Sequence, residues 1–348
     1  MGEMFATTGE SPEGVAQVVA RLVADGAASG FVVAVARGDG PVAALAVGAD
    51  AAGRPLDPDS LFPFASITKL ATALAVLRLM DMGALDVADP LARHLPDAAA
   101  AREGVTLRHL LCHTAGLPFD PPEARAPGDD PPWPAQSEAA RGTTPVAPPG
   151  TLVRYSAVGY ALLALVVERA TGRPFPAALA ELVLAPLGLG ATFGVAPACT
   201  PARIAEADWY NAPGWPMLAN PSNGMVGTAA DALALVRAFR PGILLRPETC
   251  AAATRDQTGG LAAAAGMFWP RAPWGLGPGL KHDLPPFMFA PPAAGPAAYA
   301  HGGAAGGLAW ADPDADIAAA ILSTRAGGPW FSDTMAAISA AILNGRRS

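Results

Sequence analysis

Ser66 and Lys69, three residues apart, carry the clearest chemistry in the chain. On a helix this spacing puts both side chains on one face, within reach of each other. A serine hydroxyl is a weak nucleophile near neutral pH and needs a base in contact. Lysine supplies that base where burial and neighbouring positive potential lower its pKa. The flanking segments FPFA and LATALAVL are apolar enough to desolvate it. The same spacing also describes a capping serine followed by a lysine lying along a surface helix. Lysine is scarce here, with only Lys69 and Lys281 against 21 arginines, which favours the catalytic alternative.

A serine–lysine pair still needs a route for the proton to a leaving group, and tyrosine or histidine can provide one. Tyr155 stands where a Pro/Gly-rich loop gives way to a helical pattern. Its phenol can relay a proton if cation-rich surroundings lower its pKa. Tyr160, within the apolar run that follows, reads as core. His301 opens HGGAAGG, whose glycines allow close backbone approach and offer an N–H to a developing oxyanion. A second arrangement, Ser66 with His301 as sole base, also fits these residues. His109 and His113 are four apart but have no third ligand nearby, so no metal is expected and no cofactor either. His113 reads as satisfying a buried hydrogen bond. Asp231 fits a helix start and Glu206 a solvated loop.

The elements that must position these groups are legible in the periodicity. Helices are expected over 11–27, 66–82, 106–112, 156–171, 174–184, 228–239 and 331–345. Residues 31–48 read as two strands around a Gly-Asp-Gly turn and 315–325 as another, with short strand-like pieces over 266–311. The stretch 118–150 holds ten prolines, so no regular element is placed there, and it is assigned to a pocket wall or lid. Strands at both ends and helices between them predict an α+β fold: one sheet from the terminal thirds, covered by helices, with a mostly helical insertion.

Composition excludes several classes. The formal net charge is −7 with no basic stripe, which excludes nucleic acid as the expected partner. The longest apolar run, 157–167, is short of the roughly 20 residues a bilayer-spanning helix needs. The N-terminal residues MGEMFATTGESPEG show neither a positive n-region nor an apolar stretch, so a cytoplasmic protein away from membranes is expected. Cys112, Cys199 and Cys250 form no disulfide framework or zinc spacing. No G-x-S-x-G elbow occurs, which disfavours an α/β-hydrolase.

Taken in order, SITK, then Tyr155-Ser156-Ala157, then His301-Gly302-Gly303 resembles the three-motif signature of the serine β-lactamase/penicillin-binding-protein superfamily. The resemblance is to the class C β-lactamase-like branch and, within it, the family VIII carboxylesterases. It extends through MGALDVADPLARHLP, LRHLLCHTAGLP, NGMVGTAADALAL and WGLGPG, over roughly residues 30–345. It implies a β-lactamase/transpeptidase-like fold with a sheet domain from 1–65 and 225–348, a helical domain over 66–224, and the active site at their junction. It also implies Ser66 as the acylated nucleophile, Lys69 as base and Tyr155 as proton relay. The N–H groups of Ser66 and Ala304 become the oxyanion hole, and His301, Gly302, Gly303 and Ala157 line the substrate.

Two departures bear on the substrate. Ala157 stands where the family often has asparagine, and His301 where it often has lysine, a cation suited to a carboxylate. Both changes fit an uncharged ester or lactone better than a penicillin. Phe119, Trp133, Trp209, Tyr210, Trp215, Met217, Phe268, Trp269 and Trp274 are expected around an apolar pocket. The expected activity is therefore carboxylic-ester hydrolysis through an acyl-enzyme. The alternatives are β-lactamase or D-amino-acid peptidase/amidase action, acyl transfer to an alcohol or amine, and a non-catalytic binding scaffold. The sequence leaves the oligomeric state open.

Overall fold

Near-continuous apolar runs at the two ends of the chain pair into one antiparallel sheet. The computed structural model describes residues 13–121, 131–266, 270–281 and 290–345. Its strands, in chain order, are β1 (Gly30–Arg37), β2 (Ala43–Gly48), β3 (Phe62–Pro63), β4 (Thr192–Phe193), β5 (Met225–Gly227), β6 (Gly279–Leu280), β7 (Tyr299–Gly303), β8 (Gly307–Asp312) and β9 (Ile317–Ser323). Six form the main sheet in the order β2-β1-β9-β8-β7-β6, with register pairs Val33↔Ile321 and Gly303↔Gly307. The sheet joins residues 30–48 to 279–323, as the strand distribution predicts.

Both faces of this sheet are covered, so its central strands are apolar at successive positions rather than alternating. Phe31, Val33, Ala319 and Ile321 face the terminal helices Glu13–Ala24 and Phe331–Asn344. Val32, Ala34, Ala320 and Leu322 belong to the larger core on the other side. That core is built around the Thr68–Asp81 helix, in which only Arg78 and Met80 escape full burial. A helix apolar nearly all round belongs inside a large protein. It stops at Gly83, where φ is +76° and the N–H returns to the Met80 carbonyl.

Three features differ from the sequence expectation. A helix, Trp133–Gly142, lies inside the proline-rich stretch. Pro132 and Pro134 flank its start, where a proline's missing N–H costs nothing, and no proline follows within it. A small second sheet, β3-β5-β4, joins three short segments across the helical region. The 174–184 pattern is an α-helix, Phe175–Leu179, that relaxes into a π-turn over Ala180–Leu184.

Candidate active site

The second sheet delivers the chain into the turn that carries Ser66. Phe64 donates its N–H to the Met225 carbonyl at 2.8 Å. Ala65 then takes φ +46°, a left-handed conformation that costs an L-residue energy and is held here by complete burial. Ser66 follows in a 3₁₀ turn, Ala65–Ile67, that feeds the buried helix. It is half-buried, whereas Lys69, one turn on, is almost wholly enclosed. Lys69 Nζ lies 3.3 Å from Ser66 Oγ and donates to the Ser222 carbonyl at 3.0 Å.

That carbonyl belongs to a loop tied to the same helix. Thr72 Oγ1 donates to the Pro221 carbonyl at 2.6 Å, and Thr68 Oγ1 accepts the Met225 N–H at 3.1 Å. Asn220 Oδ1 takes both the N–H and the hydroxyl of Ser222. The rings of Tyr155 and Tyr160 complete the enclosure, with centroids 4.8 and 5.6 Å from Nζ. Burial among these groups pushes the Lys69 pKa down to about 7, opposed by the negative charge of Asp120. Asp120→Asn is therefore expected to lower the Lys69 pKa further, by less than about one unit because the carboxylate is exposed. The rising limb of a pH–rate profile should move to lower pH; an unchanged or higher midpoint would remove Asp120 from the lysine's electrostatics.

Tyr155 leads into the Ala157–Thr171 helix, capped by Ser156, whose hydroxyl accepts the Gly159 N–H at 3.1 Å. The Tyr155 hydroxyl is buried beside that of Ser66 without a partner at full hydrogen-bonding geometry. Burial holds its pKa well above the ordinary tyrosine value, against the opposing contact with Ser66. The condition of cations lowering this pKa is not met: Lys69 sits over the ring, and burial keeps the phenol protonated. Ala157 begins the helix and gives its N–H to the Phe119 carbonyl at 2.8 Å.

β7 brings the third motif against the turn that carries Ser66. A Cβ on Gly303 would stand 2.3 Å from the Phe64 carbonyl oxygen, so only glycine allows this approach. His301 is fully buried, and its Nδ1 contacts the Gly302 carbonyl at 2.8 Å. A carbonyl only accepts, so Nδ1 bears the proton and the unpartnered Nε2 presents a lone pair. Burial, and then the Lys69 charge, lower its pKa to about 3. His301 makes no hydrogen bond to Ser66, which argues against the arrangement with His301 as sole base. Ala304, half-buried, opens the β7–β8 turn, its carbonyl accepting the Gly327 N–H at 2.9 Å.

Of the expected aromatics, Trp274 and Phe119 stand 5.6 and 5.9 Å from the Tyr155 ring. Tyr210 also acts on Tyr155 electrostatically and packs with Trp209 and Trp215. Met217 is half-exposed. Trp133 does not join them: it is buried, donates to Glu168 at 2.9 Å and packs on Phe175. Phe268 and Trp269 lie outside the described residues. His109 closes a capping box with Thr106, and Asp231 does the same with Thr228. Glu206 pairs with Arg325 at 3.0 Å.

Sequence reasoning missed His113 as a neighbour of the site. Its ring lies 4.4 Å from that of Tyr155; the buried hydrogen bond expected of it is present, from the Ser156 N–H at 3.1 Å, but the sequence does not show that this bond lies beside Tyr155. The Ser222 carbonyl was also missed, because a backbone acceptor leaves no side-chain signature. A cavity of about 400 Å³ lies elsewhere, at the Tyr299 end of β7, roughly 13 Å along the strand from Gly303. Arg240, which lines it, is paired with Asp316 at 2.9 Å.

Known proteins resemble this chain in sequence and in fold. The Beta-lactamase family profile matches residues 15–343. Esterase EstB of Burkholderia gladioli is 33% identical over 273 residues, 63% of this chain and 67% of its own length. Penicillin-binding protein 4 of Amycolatopsis lactamdurans is 31% identical over 253 residues, 65% of this chain and 66% of its own length. The matched segments thus span about two thirds of these relatives. EstCE1, a hydrolase with promiscuous acyltransferase activity, shares the fold at TM-score 0.78 and 24% identity, covering 95% of this chain and 98% of its own. The chain belongs to the Beta-lactamase family, within the superfamily of serine β-lactamases, penicillin-binding proteins and their esterase relatives.

Proposed function

We propose that this protein hydrolyses carboxylic esters of small molecules, lactones included, through an acyl-enzyme on Ser66. The observation that carries the reading is the enclosure of Lys69, its amine 3.3 Å from Ser66 Oγ and its pKa about 7. Neutral Lys69 accepts the hydroxyl proton as Oγ attacks the ester carbonyl carbon. The N–H groups of Ser66 and Ala304 hold the oxygen that becomes negative. Tyr155 donates its proton to the departing alkoxide, and a water between the two groups carries the lysine ammonium's proton back to it. Water then attacks the acyl carbon and gives one proton to the Tyr155–Lys69 pair, which returns it to Ser66 Oγ as the acyl–Oγ bond breaks and the carboxylic acid leaves. His301, neutral and offering a lone pair, supplies no cation for a substrate carboxylate, and Ala157 supplies no amide. The active site belongs to the junction of a sheet domain (1–65 and 225–348) with a helical one (66–224).

Esterase EstB, by its name, acts on esters, which supports the same substrate class. Among the described residues no helix is long and apolar enough to cross a membrane. The test is intact-mass spectrometry with an active-site phosphonate, run beside turnover of nitrophenyl esters and a chromogenic cephalosporin. We expect one phosphonyl adduct on the wild type, none on Ser66→Ala, and ester turnover well ahead of cephalosporin turnover. Faster cephalosporin turnover would shift the assignment to an amide-directed enzyme. Labelling and turnover retained in Ser66→Ala would overturn it.

A further inference from the structure

His113 ends the short helix Leu107–Leu111 and its following turn in a left-handed conformation, φ +60°, uncommon for a side-chain-bearing residue though less so for histidine than for most. What this geometry achieves is a two-point hold on the segment that carries Tyr155. The His113 carbonyl accepts the Arg154 N–H at 2.8 Å, and its ring Nδ1 accepts the Ser156 N–H at 3.1 Å. In extended chain the N–H groups of alternate residues point the same way, so one residue can take both. Tyr155 is the residue between them.

The ring also fixes the tyrosine's side chain. Its centroid lies 4.4 Å from that of Tyr155, 4.6 Å from Trp274 and 5.2 Å from Tyr160, a packed aromatic cluster at the back of the lysine pocket. A backbone N–H only donates, so Nδ1 holds the lone pair and Nε2 the proton. Burial and the charge of Lys69 keep the ring neutral, so it adds no repulsion beside that amine. The geometry points to His113 as a positioning residue that holds the Tyr155 hydroxyl in register with Ser66 and Lys69. This rests on the reading of Tyr155 as the proton relay.

Asparagine and glutamine separate the alternatives. Asparagine puts its carbonyl oxygen near the place of Nδ1 and tolerates positive φ; glutamine reaches instead toward the place of Nε2. The experiment compares His113→Asn and His113→Gln, alone and combined with Tyr155→Phe, on 4-nitrophenyl butyrate. Rates are normalised to phosphonate-titrated active sites, so misfolded protein does not count. His113→Gln should lose about 10²-fold in kcat with KM within about threefold, as for a misplaced catalytic group. His113→Asn should recover to within about tenfold of wild type. In the Tyr155→Phe background the two variants should turn over equally, because the group they position is gone. Glutamine matching or exceeding asparagine, or the same gap persisting without the tyrosine hydroxyl, would overturn the positioning role alone. Wild-type kcat in Tyr155→Phe would overturn the relay reading and the inference with it.

Discussion

Lys69→Met is expected to lower ester turnover by about 10³-fold or more while making the folded protein more stable at pH 6. The activity loss follows from removing the base, a contribution of roughly 10²–10⁴, in a site where no other side chain contacts Ser66 Oγ as a hydrogen-bonding base among the described residues. The stability gain follows from linkage. Lys69 has a pKa of about 7 in the fold against the ordinary lysine value of 10.5. Between those values the unfolded chain holds more protons, so stability rises with pH across this window, and the penalty is complete below it. At pH 6 the charge in the fold costs about 5 kcal/mol, taking about 1.4 kcal/mol per pH unit. Methionine removes that cost but leaves the Ser222 carbonyl without its donor, a loss of about 1–3 kcal/mol. A net gain of about 2–4 kcal/mol should appear in denaturant unfolding at pH 6, shrink as the pH rises and turn into a small loss toward pH 10, where only the unpaired carbonyl remains.

The wild-type profile belongs to the same prediction. Only the neutral amine accepts a proton, so kcat/KM should rise about tenfold per pH unit below 7 and level off above it. A variant that keeps its activity, or one less stable than wild type at pH 6, would show that Lys69 is a structural ion-pair or capping group rather than a buried base. A profile flat through pH 7 would separately remove lysine deprotonation as the controlling step.

Gly303→Ala carries the second large effect, and here the cause is shape rather than charge. The new methyl would meet the Phe64 carbonyl oxygen at 2.3 Å, and Ile67 stands behind it at 3.4 Å. Neither can retreat easily. Phe64 is fully buried and pinned to Met225, and the next residue already holds a positive φ. Overpacking of this kind costs about 1–3 kcal/mol or more. Because the displaced residues are those before Ser66, turnover should fall about 10²-fold. Gly142→Ala is the matching control: its methyl meets nothing within 4 Å, and its φ is not positive. It should leave kcat unchanged. Full activity in Gly303→Ala would mean that β7 and the Ser66 turn are not rigidly coupled.

The local parts of this site were legible in the sequence because they depend on spacing. Ser66 and Lys69 fall one helical turn apart whatever surrounds them. The apolar run after them, free of Pro and Gly until Gly83, reads as a helix, and the fold buries it on nearly every face. Apolar strands at both ends of the chain dictated a sheet that brings His301 and Gly303 back toward the middle of the sequence. Reading prolines as breakers hid the Trp133–Gly142 helix, because a proline at a helix start and one inside a helix look alike until the register is known.

The chemical state of the site was decided by contacts between distant segments. The lysine pKa depends on the Ser222 loop and two tyrosine rings closing over one amine, more than 80 residues away in the chain. The tautomers of His113 and His301 depend on which backbone group each ring meets, a donor in one case and an acceptor in the other. Tyr155 lost its expected cation for the same reason, since Lys69 came to rest over its ring face rather than at its oxygen. Residue types and spacing determined which groups could react. Desolvation and hydrogen-bond direction act through space, so only the folded chain decided which of those groups carries a proton at neutral pH.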